Sequence, residues 1–273
     1  MDTVSHTLFF PLLGRSQAAT DYPDLFTQPP FGNAEEIARK TQTPAQPMGA
    51  FPAFVYGLRH EITVIMAKRY LEEHPGAAVV NLGCGLDQLA HDLTDYECTV
   101  YNLDFPSVIE VRQKWLTALE NEVDLPYSLT DTAWFDQVDG TKGVIAIAAG
   151  VFYYLKPEAV ATFMDEFGKR FPGAWLTYDS ESPRVIRMSE RSIAKKGTPT
   201  TMPFKLADPF EVRTFSPTIA NVAVNYSFAN YLPVASRRTI PKPIRAAFWF
   251  FEKIKGMYQV TITFAGSPSD SGR

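Results

Sequence analysis

The stretch Ala77-Ala-Val-Val-Asn-Leu-Gly-Cys-Gly-Leu-Asp-Gln88 decides the fold. Residues 77–82 are apolar apart from Asn81, which is typical of a central strand buried on both faces of a parallel sheet. Two glycines follow at once. Gly83 and Gly85 allow the backbone to turn sharply and to approach a ligand without interference from a Cβ atom. The pattern predicts a buried strand that leads into a binding loop.

Apolar strand segments alternate with amphipathic helical segments on the C-terminal side of this stretch, and a long helical segment precedes it. This alternation predicts an α/β fold, a doubly wound parallel sheet with a β-rich C-terminal end. We expect one domain over 1–273, with cap or lid elements at 1–50, as irregular structure or short helices, and at about 181–220, and a flexible tail at 266–273. The pattern predicts helices over 55–73, 106–120 and 157–170, and strands over 77–82, 98–103, 144–149, 174–178, 222–228 and 258–264.

Composition excludes several classes of protein. The chain has 273 residues, 45% of them hydrophobic, which is enough for a sizeable core. Its net charge is −4 and it has no basic run of the kind that binds nucleic acid, so we expect no nucleic-acid partner. No apolar stretch is long enough to span a bilayer, and we expect no membrane partner. Two cysteines in apolar settings indicate a reducing compartment, the cytoplasm, and four scattered histidines indicate no metal site.

Candidate ligand-binding residues follow the predicted strands. Open parallel sheets bind ligands at the carboxyl ends of their strands. These ends carry the glycine loop, Asp104, the region of Asp131, Ala149-Gly150 and Asp179. Asp104 lies about 20 residues beyond Gly83, at a position from which a carboxylate accepts hydrogen bonds from the hydroxyls of an adenosine ribose.

Two kinds of cofactor fit this arrangement, a dinucleotide and S-adenosylmethionine. A dinucleotide fingerprint has the form G-x-G-x-x-G, but here the third glycine is replaced by Gln88. Asp87, also in the loop, would repel a pyrophosphate but tolerate a sulfonium ligand that carries an amino group. The residues favour the methyl donor, while a dinucleotide site and a tight turn without a ligand stay open.

Three segments in order resemble successive motifs of one protein family. They are Ala78-Val-Val-Asn-Leu-Gly-Cys-Gly-Leu-Asp87, Asn102-Leu-Asp-Phe-Pro-Ser-Val-Ile-Glu110 and Ala148-Ala-Gly-Val-Phe-Tyr-Tyr-Leu155. The family is that of the leucine carboxyl methyltransferases and tetracenomycin-type polyketide O-methyltransferases, which are class I S-adenosylmethionine-dependent enzymes. Residues 4–12 with Arg15, and residues 170–173, are similar too. The resemblance covers about residues 3–180.

The resemblance implies the class I methyltransferase fold, a Rossmann-like, mostly parallel seven-stranded sheet with a helical cap. It also implies roles for matching positions. Gly83 and Gly85 would line the methionine part of the donor, Asp104 would hold the ribose, Asp131 would contact the adenine amine, and Arg59 would pair with the donor carboxylate. Ala149 departs from the family, in which Glu is common at this position. The expected cofactor-binding residues are Arg59, Gly83, Cys84, Gly85, Asp87, Asp104, Phe105, Asp131, Thr132, Ala149 and Gly150.

The acceptor side is less defined by the sequence. Tyr153, Asp179 and His60 are the candidate catalytic residues. Each also has an ordinary structural interpretation: core packing for the tyrosine, a helix cap for the aspartate and a structural contact for the histidine. A basic segment, 184–196, has helical spacing and is either a solvated helix face or a lid that presents cations to an acidic substrate.

The function predicted from these features is O-methylation of a small metabolite, on a carboxylate or on a phenol or hydroxyl of polyketide type. We expect a small-molecule acceptor as partner and a monomer or homodimer. The alternatives are an NAD-dependent oxidoreductase, a non-catalytic S-adenosylmethionine-binding protein and a protein carboxyl methyltransferase.

Overall fold

The computed structural model describes residues 4–27, 48–194 and 200–266. Most of the expected flexible tail, part of the expected N-terminal cap and the last two lysines of the basic segment lie outside these residues. The helices are α1 (Val4–Asp21), α2 (Ala50–Glu73), α3 (Pro106–Trp115), α4 (Pro157–Arg170), α5 (Pro183–Ala194), α6 (Val234–Arg237) and α7 (Lys242–Lys253). The strands are β1 (Ala78–Leu82), β2 (Thr99–Asp104), β3 (Glu122–Pro126), β4 (Val144–Ala148), β5 (Trp175–Glu181), β6 (Ile219–Asn225) and β7 (Met257–Phe264).

The seven strands form one sheet in the order β3-β2-β1-β4-β5-β7-β6. Strands β1 to β5 pair in parallel, and β7 runs antiparallel to both β5 and β6. The predicted doubly wound, mostly parallel sheet is therefore confirmed. The carboxyl ends of β1, β2, β4 and β5 meet at one edge, where the candidate residues were expected.

The core lies on both faces of this sheet. Alternate residues of a strand point to opposite faces, so Val79 packs on the α2 side and Val80 on the α4 side. On the α2 side the sheet meets Leu58 and Ile62, and on the α4 side it meets Phe167. β1 and β4 are buried along their whole length, which explains why their sequences are continuous apolar runs.

The N-terminal zone differs from the expectation of irregular structure or short helices. Residues Val4–Asp21 form one helix that contains Pro11. Close packing against α2 stabilises it: a Cβ atom at Gly57 would lie 2.9 Å from the Cβ of Ala18, so the two helices approach closely at this point. Proline removes one helical hydrogen bond, and contacts of this kind offset that loss.

The region between β2 and β4 also differs from the prediction. α3 ends at Trp115 rather than at residue 120, because Leu116 is extended and the backbone N–H of Leu119 donates to the Glu122 carboxylate at 2.8 Å. Glu122 begins β3, a strand that the sequence analysis missed. β3 lies at the edge of the sheet, so it carries polar residues and ends in Pro126, features that edge strands tolerate.

Candidate active site

The glycine loop after β1 closes onto the end of β2. Gly83 and Gly85 have φ values of +61° and +53°, a left-handed region that glycine adopts without steric cost. The Asp104 carboxylate accepts the backbone N–H of Gly85 at 2.8 Å and that of Phe105 at 2.8 Å. Burial raises the pKa of Asp104, although these two hydrogen bonds act in the opposite direction. The structure thus brings the predicted loop and the predicted ribose carboxylate into direct contact.

The loop is also packed against the segment after β4. A Cβ atom at Gly83 would lie 2.6 Å from a methyl carbon of Val151, the residue that follows Gly150. Gly150 has a φ of +75°, and a Cβ atom there would lie 3.1 Å from the Arg59 guanidinium. Side chains are therefore excluded at both positions, and the Val151 and Arg59 side chains pack directly against the backbone where the ends of β1 and β4 meet.

Asp87 anchors the far side of the loop. Its carboxylate forms an ion pair with Arg15 of α1 at 2.8 Å and contacts His60 Nδ1 at 3.2 Å. The other imidazole nitrogen of His60 lies 3.0 Å from Asp92. Burial alone would raise the pKa of Asp87, but Arg15, His60 and the Arg112 guanidinium hold it well below its usual range. Both ring nitrogens of His60 thus face carboxylates, an arrangement that supports a positioning role for this residue.

A second cluster forms at the ends of β4 and β5. The Asp179 carboxylate, 4% exposed, is paired with the Arg59 guanidinium at 2.8 Å. It also accepts the backbone N–H of Gly150 at 2.6 Å and the hydroxyl of Tyr153 at 3.2 Å. Asp179 lies within β5, so the helix-cap interpretation of this residue is wrong. The structure brings together four residues that the sequence analysis had singled out separately.

The cap expected after residue 180 contacts this cluster. Tyr153 packs in an apolar group with Ile186 of α5 and with Met202. The backbone N–H of Phe204 donates to the Tyr153 carbonyl at 3.5 Å. Burial raises the pKa of the Tyr153 hydroxyl well above its usual value, and the negative charges of Asp179 and Glu181 add to the shift. The phenol therefore stays protonated at neutral pH.

The remaining predicted residues lie around these two clusters. Asp131 caps the short 3-10 helix Thr132–Gln137 by accepting the N–H of Ala133 at 3.0 Å. Phe105 is half exposed at the start of α3, and Ala149 lies between β4 and Gly150. Cys84 is buried, and burial raises the pKa of its thiol well above the usual value. The thiol therefore stays protonated at neutral pH.

Two residues that face the second cluster were missed. Glu181 follows Asp179 by two positions in β5, so both side chains point to the same face of the sheet. Burial raises the pKa of Glu181 to about 7, Arg59 opposes the shift, and the Ser189 hydroxyl donates to its carboxylate at 3.2 Å. Tyr56 lies one helical turn before Arg59, and the guanidinium sits 5.5 Å from its ring centroid. The sequence signals were the two-residue spacing of Glu181 from Asp179 in a strand and the three-residue spacing of Tyr56 from Arg59 in a helix.

The family comparisons cover part of the chain. Residues 55–168 match the family model "Leucine carboxyl methyltransferase". The tetracenomycin polyketide synthesis O-methyltransferase TcmP of Streptomyces glaucescens is 27% identical over 145 residues. These residues are 52% of this chain and 53% of the relative, so the match spans about half the length of the curated relative.

Solved structures share the fold at low sequence identity. A protein from Thermobifida fusca, described as a methyltransferase, gives a TM-score of 0.55 at 14% identity and covers 85% of this chain and 87% of its own. A DUF574 family protein of Streptomyces avermitilis gives 0.53 at 13% identity, with 85% and 88% coverage. Human N-acetylserotonin methyltransferase in complex with SAM gives 0.50 at 12% identity, with 85% and 62% coverage. The resemblance noted in the sequence is confirmed: residues 55–168 match the leucine carboxyl methyltransferase family, within a chain that has the class I methyltransferase fold.

Proposed function

We propose that this protein is an S-adenosylmethionine-dependent O-methyltransferase that acts on a small metabolite. The observation that carries the proposal is the loop Gly83–Gly85, whose bare, left-handed backbone is closed onto the carboxylate of Asp104. The family match over residues 55–168 supports the same activity.

The residues at the sheet edge fit the donor. The absence of a Cβ atom at Gly150 lets the Arg59 guanidinium pack against the backbone, which places it at the carboxyl end of β4. Asp104, at the end of β2, would hold the ribose. The buried Nε of Arg59 has no hydrogen-bond partner among the described residues and is available to the donor carboxylate. When bound, S-adenosylmethionine supplies a methyl group already activated on a sulfonium.

The protein then has to align the acceptor oxygen with the methyl group and the sulfur, and to exclude water from the site. Asp179 neutralises Arg59 and fixes Gly150 and Tyr153, so it sets the geometry where the donor site meets the acceptor side. A carboxylate acceptor arrives ionised, whereas a hydroxyl acceptor loses a proton. Glu181, with a pKa raised to about 7 by burial, is suited to receive that proton. Both acceptor classes are part of the proposal.

The oxidoreductase alternative is not favoured. A dinucleotide site places its pyrophosphate at the N-terminus of an α-helix that begins at the glycine loop. Here the loop is followed by the short 3-10 helix Leu89–Leu93. Gln88, which occupies the position of the third glycine, is 1% exposed, so the backbone there is covered.

Methyl transfer tests the proposal directly. The protein is incubated with S-adenosylmethionine labelled in its methyl group and with aromatic acceptors that carry both groups, such as 6-hydroxy-2-naphthoate. We expect labelled product with wild-type protein and at least a hundredfold less with Asp104→Ala. Alkaline hydrolysis releases label from a methyl ester but not from a methyl ether, and so identifies the oxygen. Donor binding without transfer to any acceptor would favour a non-catalytic binding protein, and transfer only to a peptide carboxyl terminus would favour a protein carboxyl methyltransferase.

A further inference from the structure

Helix α7 exposes large apolar side chains to solvent. Trp249 is 62% exposed, Phe250 is 51% exposed and Ile254, in the turn after the helix, is 39% exposed. The opposite side of α7 is fixed to the core by Ile244 and Phe248. The helix therefore lies flat on the body of the protein with Trp249 and Phe250 pointing away from it.

The same outward side is basic. Lys242, Arg245, Trp249 and Lys253 follow one another at spacings of three and four residues, which places them on one helical face. All four are exposed, and the Lys253 ammonium lies 5.9 Å from the Trp249 ring centroid. Residues 234–255 contain six Lys or Arg and one Glu, a net charge of +5 in a chain whose total is −4. Positive charge is thus concentrated in this segment of the chain, and the outward face of α7 carries three of its basic residues, Lys242, Arg245 and Lys253.

This surface adjoins the candidate active site. After α7 the chain enters β7 at Met257, which pairs with Glu181 at the carboxyl end of β5. The carbonyl of Gly256 accepts the N–H of Ser182 at 2.9 Å, just before α5 begins. The end of α7 therefore reaches the edge of the sheet where an acceptor would enter.

We propose that the outward face of α7, formed by Lys242, Arg245, Trp249, Phe250, Lys253 and Ile254, docks onto an anionic lipid surface. A helix that lies in the plane of a bilayer interface combines aromatic side chains, which enter the headgroup region, with Lys and Arg, which contact lipid phosphates. No helix in the described part of the chain is long and apolar enough to cross a membrane, so the contact is peripheral. The expectation of no membrane partner rested on the length of apolar stretches, and a flat amphipathic helix needs no long apolar stretch.

A second copy of the chain fits this face poorly. In a two-fold dimer the same patch meets itself, so the basic residues Lys242, Arg245 and Lys253 of one copy would face the same three residues of the other. Lipids with anionic headgroups complement both the charge and the exposed aromatic rings. The proposal does not depend on the methyltransferase activity, because lipid binding is measured without donor or acceptor.

Vesicle flotation tests the proposal with the full chain. Vesicles contain phosphatidylcholine alone or with 30 mol% phosphatidylserine, at 0.1 M salt. The charge variant is Arg245→Glu/Lys253→Glu. Its control is Lys142→Glu/Lys169→Glu, which changes the net charge equally through exposed lysines at the opposite, amino edge of the sheet. Trp249→Ala removes the aromatic anchor, and thermal unfolding checks that each variant is folded.

We expect wild-type protein and the control variant to bind phosphatidylserine vesicles at least tenfold more tightly than neutral vesicles, with binding weakened by salt. The charge variant should lose at least tenfold in affinity, and Trp249→Ala several-fold together with the blue shift of tryptophan emission on binding. Absence of binding to phosphatidylserine vesicles, or equal loss in the two charge variants, would overturn the proposal. A dimer in light scattering that Trp249→Ala dissociates, without vesicle binding, would assign the face to a second copy instead.

Discussion

Replacing Asp179 by alanine should destabilise the protein strongly. Asp179 is 4% exposed and has three partners: the Arg59 guanidinium at 2.8 Å, the Gly150 N–H at 2.6 Å and the Tyr153 hydroxyl at 3.2 Å. The substitution leaves the Arg59 charge half-buried without its carboxylate. Breaking a buried ion pair on one side costs about 3–5 kcal/mol. We therefore expect the free energy of unfolding to fall by about 4 kcal/mol, a decrease in Tm of roughly 10 °C for a domain of this size.

Urea unfolding at pH 7, followed by tryptophan fluorescence, measures this loss. Asp179→Asn retains an acceptor for the Gly150 N–H but lacks the negative charge, so its cost should be about half as large. The matched control is Glu97→Ala, which removes an exposed carboxylate paired with Lys142 at 2.9 Å. Exposed ion pairs contribute about 0–1 kcal/mol to the free energy of unfolding, so Glu97→Ala should cost no more than this.

A double-mutant cycle isolates the pair itself. If Arg59 and Asp179 stabilise the fold mainly through each other, Arg59→Met combined with Asp179→Ala should cost at least about 1.5 kcal/mol less than the sum of the single variants. Additive costs, or an Asp179→Ala cost as small as that of Glu97→Ala, would refute the view that Asp179 organises the ends of β4 and β5.

Three further predictions concern single side chains. Burial and Arg15 lower the pKa of His60, but its contacts with Asp87 and Asp92 favour the charged ring and raise the pKa overall. The stability that His60 contributes is therefore present below pH 6.5 and is lost as pH rises through its folded pKa. In urea unfolding, His60→Gln should cost more at pH 6 than at pH 9, and an equal cost at the two pH values would contradict this. Burial raises the pKa of Glu181 from 4.5 to about 7, so ionisation of Glu181 destabilises the fold as pH rises through this range. The free energy of unfolding of Glu181→Gln should therefore rise relative to wild type by up to about 3 kcal/mol between pH 4 and pH 8. A difference that does not change with pH would count against this prediction. In Gly83→Ala the new Cβ atom would lie 2.6 Å from a Val151 methyl on a backbone with a left-handed φ, so the free energy of unfolding should fall by at least about 2 kcal/mol. At Gly49 the φ is −60° and the nearest atom to a new Cβ is 3.6 Å away. Gly49→Ala should therefore have little effect in the same assay.

The central strands were predictable because both faces of each are covered. β1, apart from Asn81, and β4 are apolar throughout, and the positions of the candidate ligand-binding residues follow from where these runs end. β3 was missed because an edge strand lacks that pattern: its Glu122 and Asp124 carboxylates are paired with Arg112 rather than facing an apolar layer. α7 was missed because large apolar residues on its outer side, Trp249 and Phe250, obscure the amphipathic pattern of a surface helix.

Pairing within the site depended on tertiary structure. Arg59 and Asp179 are each predictable as candidate site residues, but 119 residues separate them in the chain, and only the packing of α2 on β5 brings them together. The same holds for Arg15 and Asp87, which meet because α1 packs on α2. Glu181 carried the signal of strand alternation, but its raised pKa comes from burial that a sequence does not display.

Calorimetric titration with S-adenosylmethionine, S-adenosylhomocysteine and NAD tests the proposed cofactor most directly. The protein should bind the first two with micromolar affinity and show no binding of NAD. Asp104→Ala should lose at least tenfold in affinity for both, since the ribose carboxylate is removed, while Asp139→Ala, an exposed aspartate at the amino edge, should bind as wild type does. Binding of NAD alone, or unchanged affinity for S-adenosylmethionine in Asp104→Ala, would contradict the assignment of this sheet edge as a methyl-donor site.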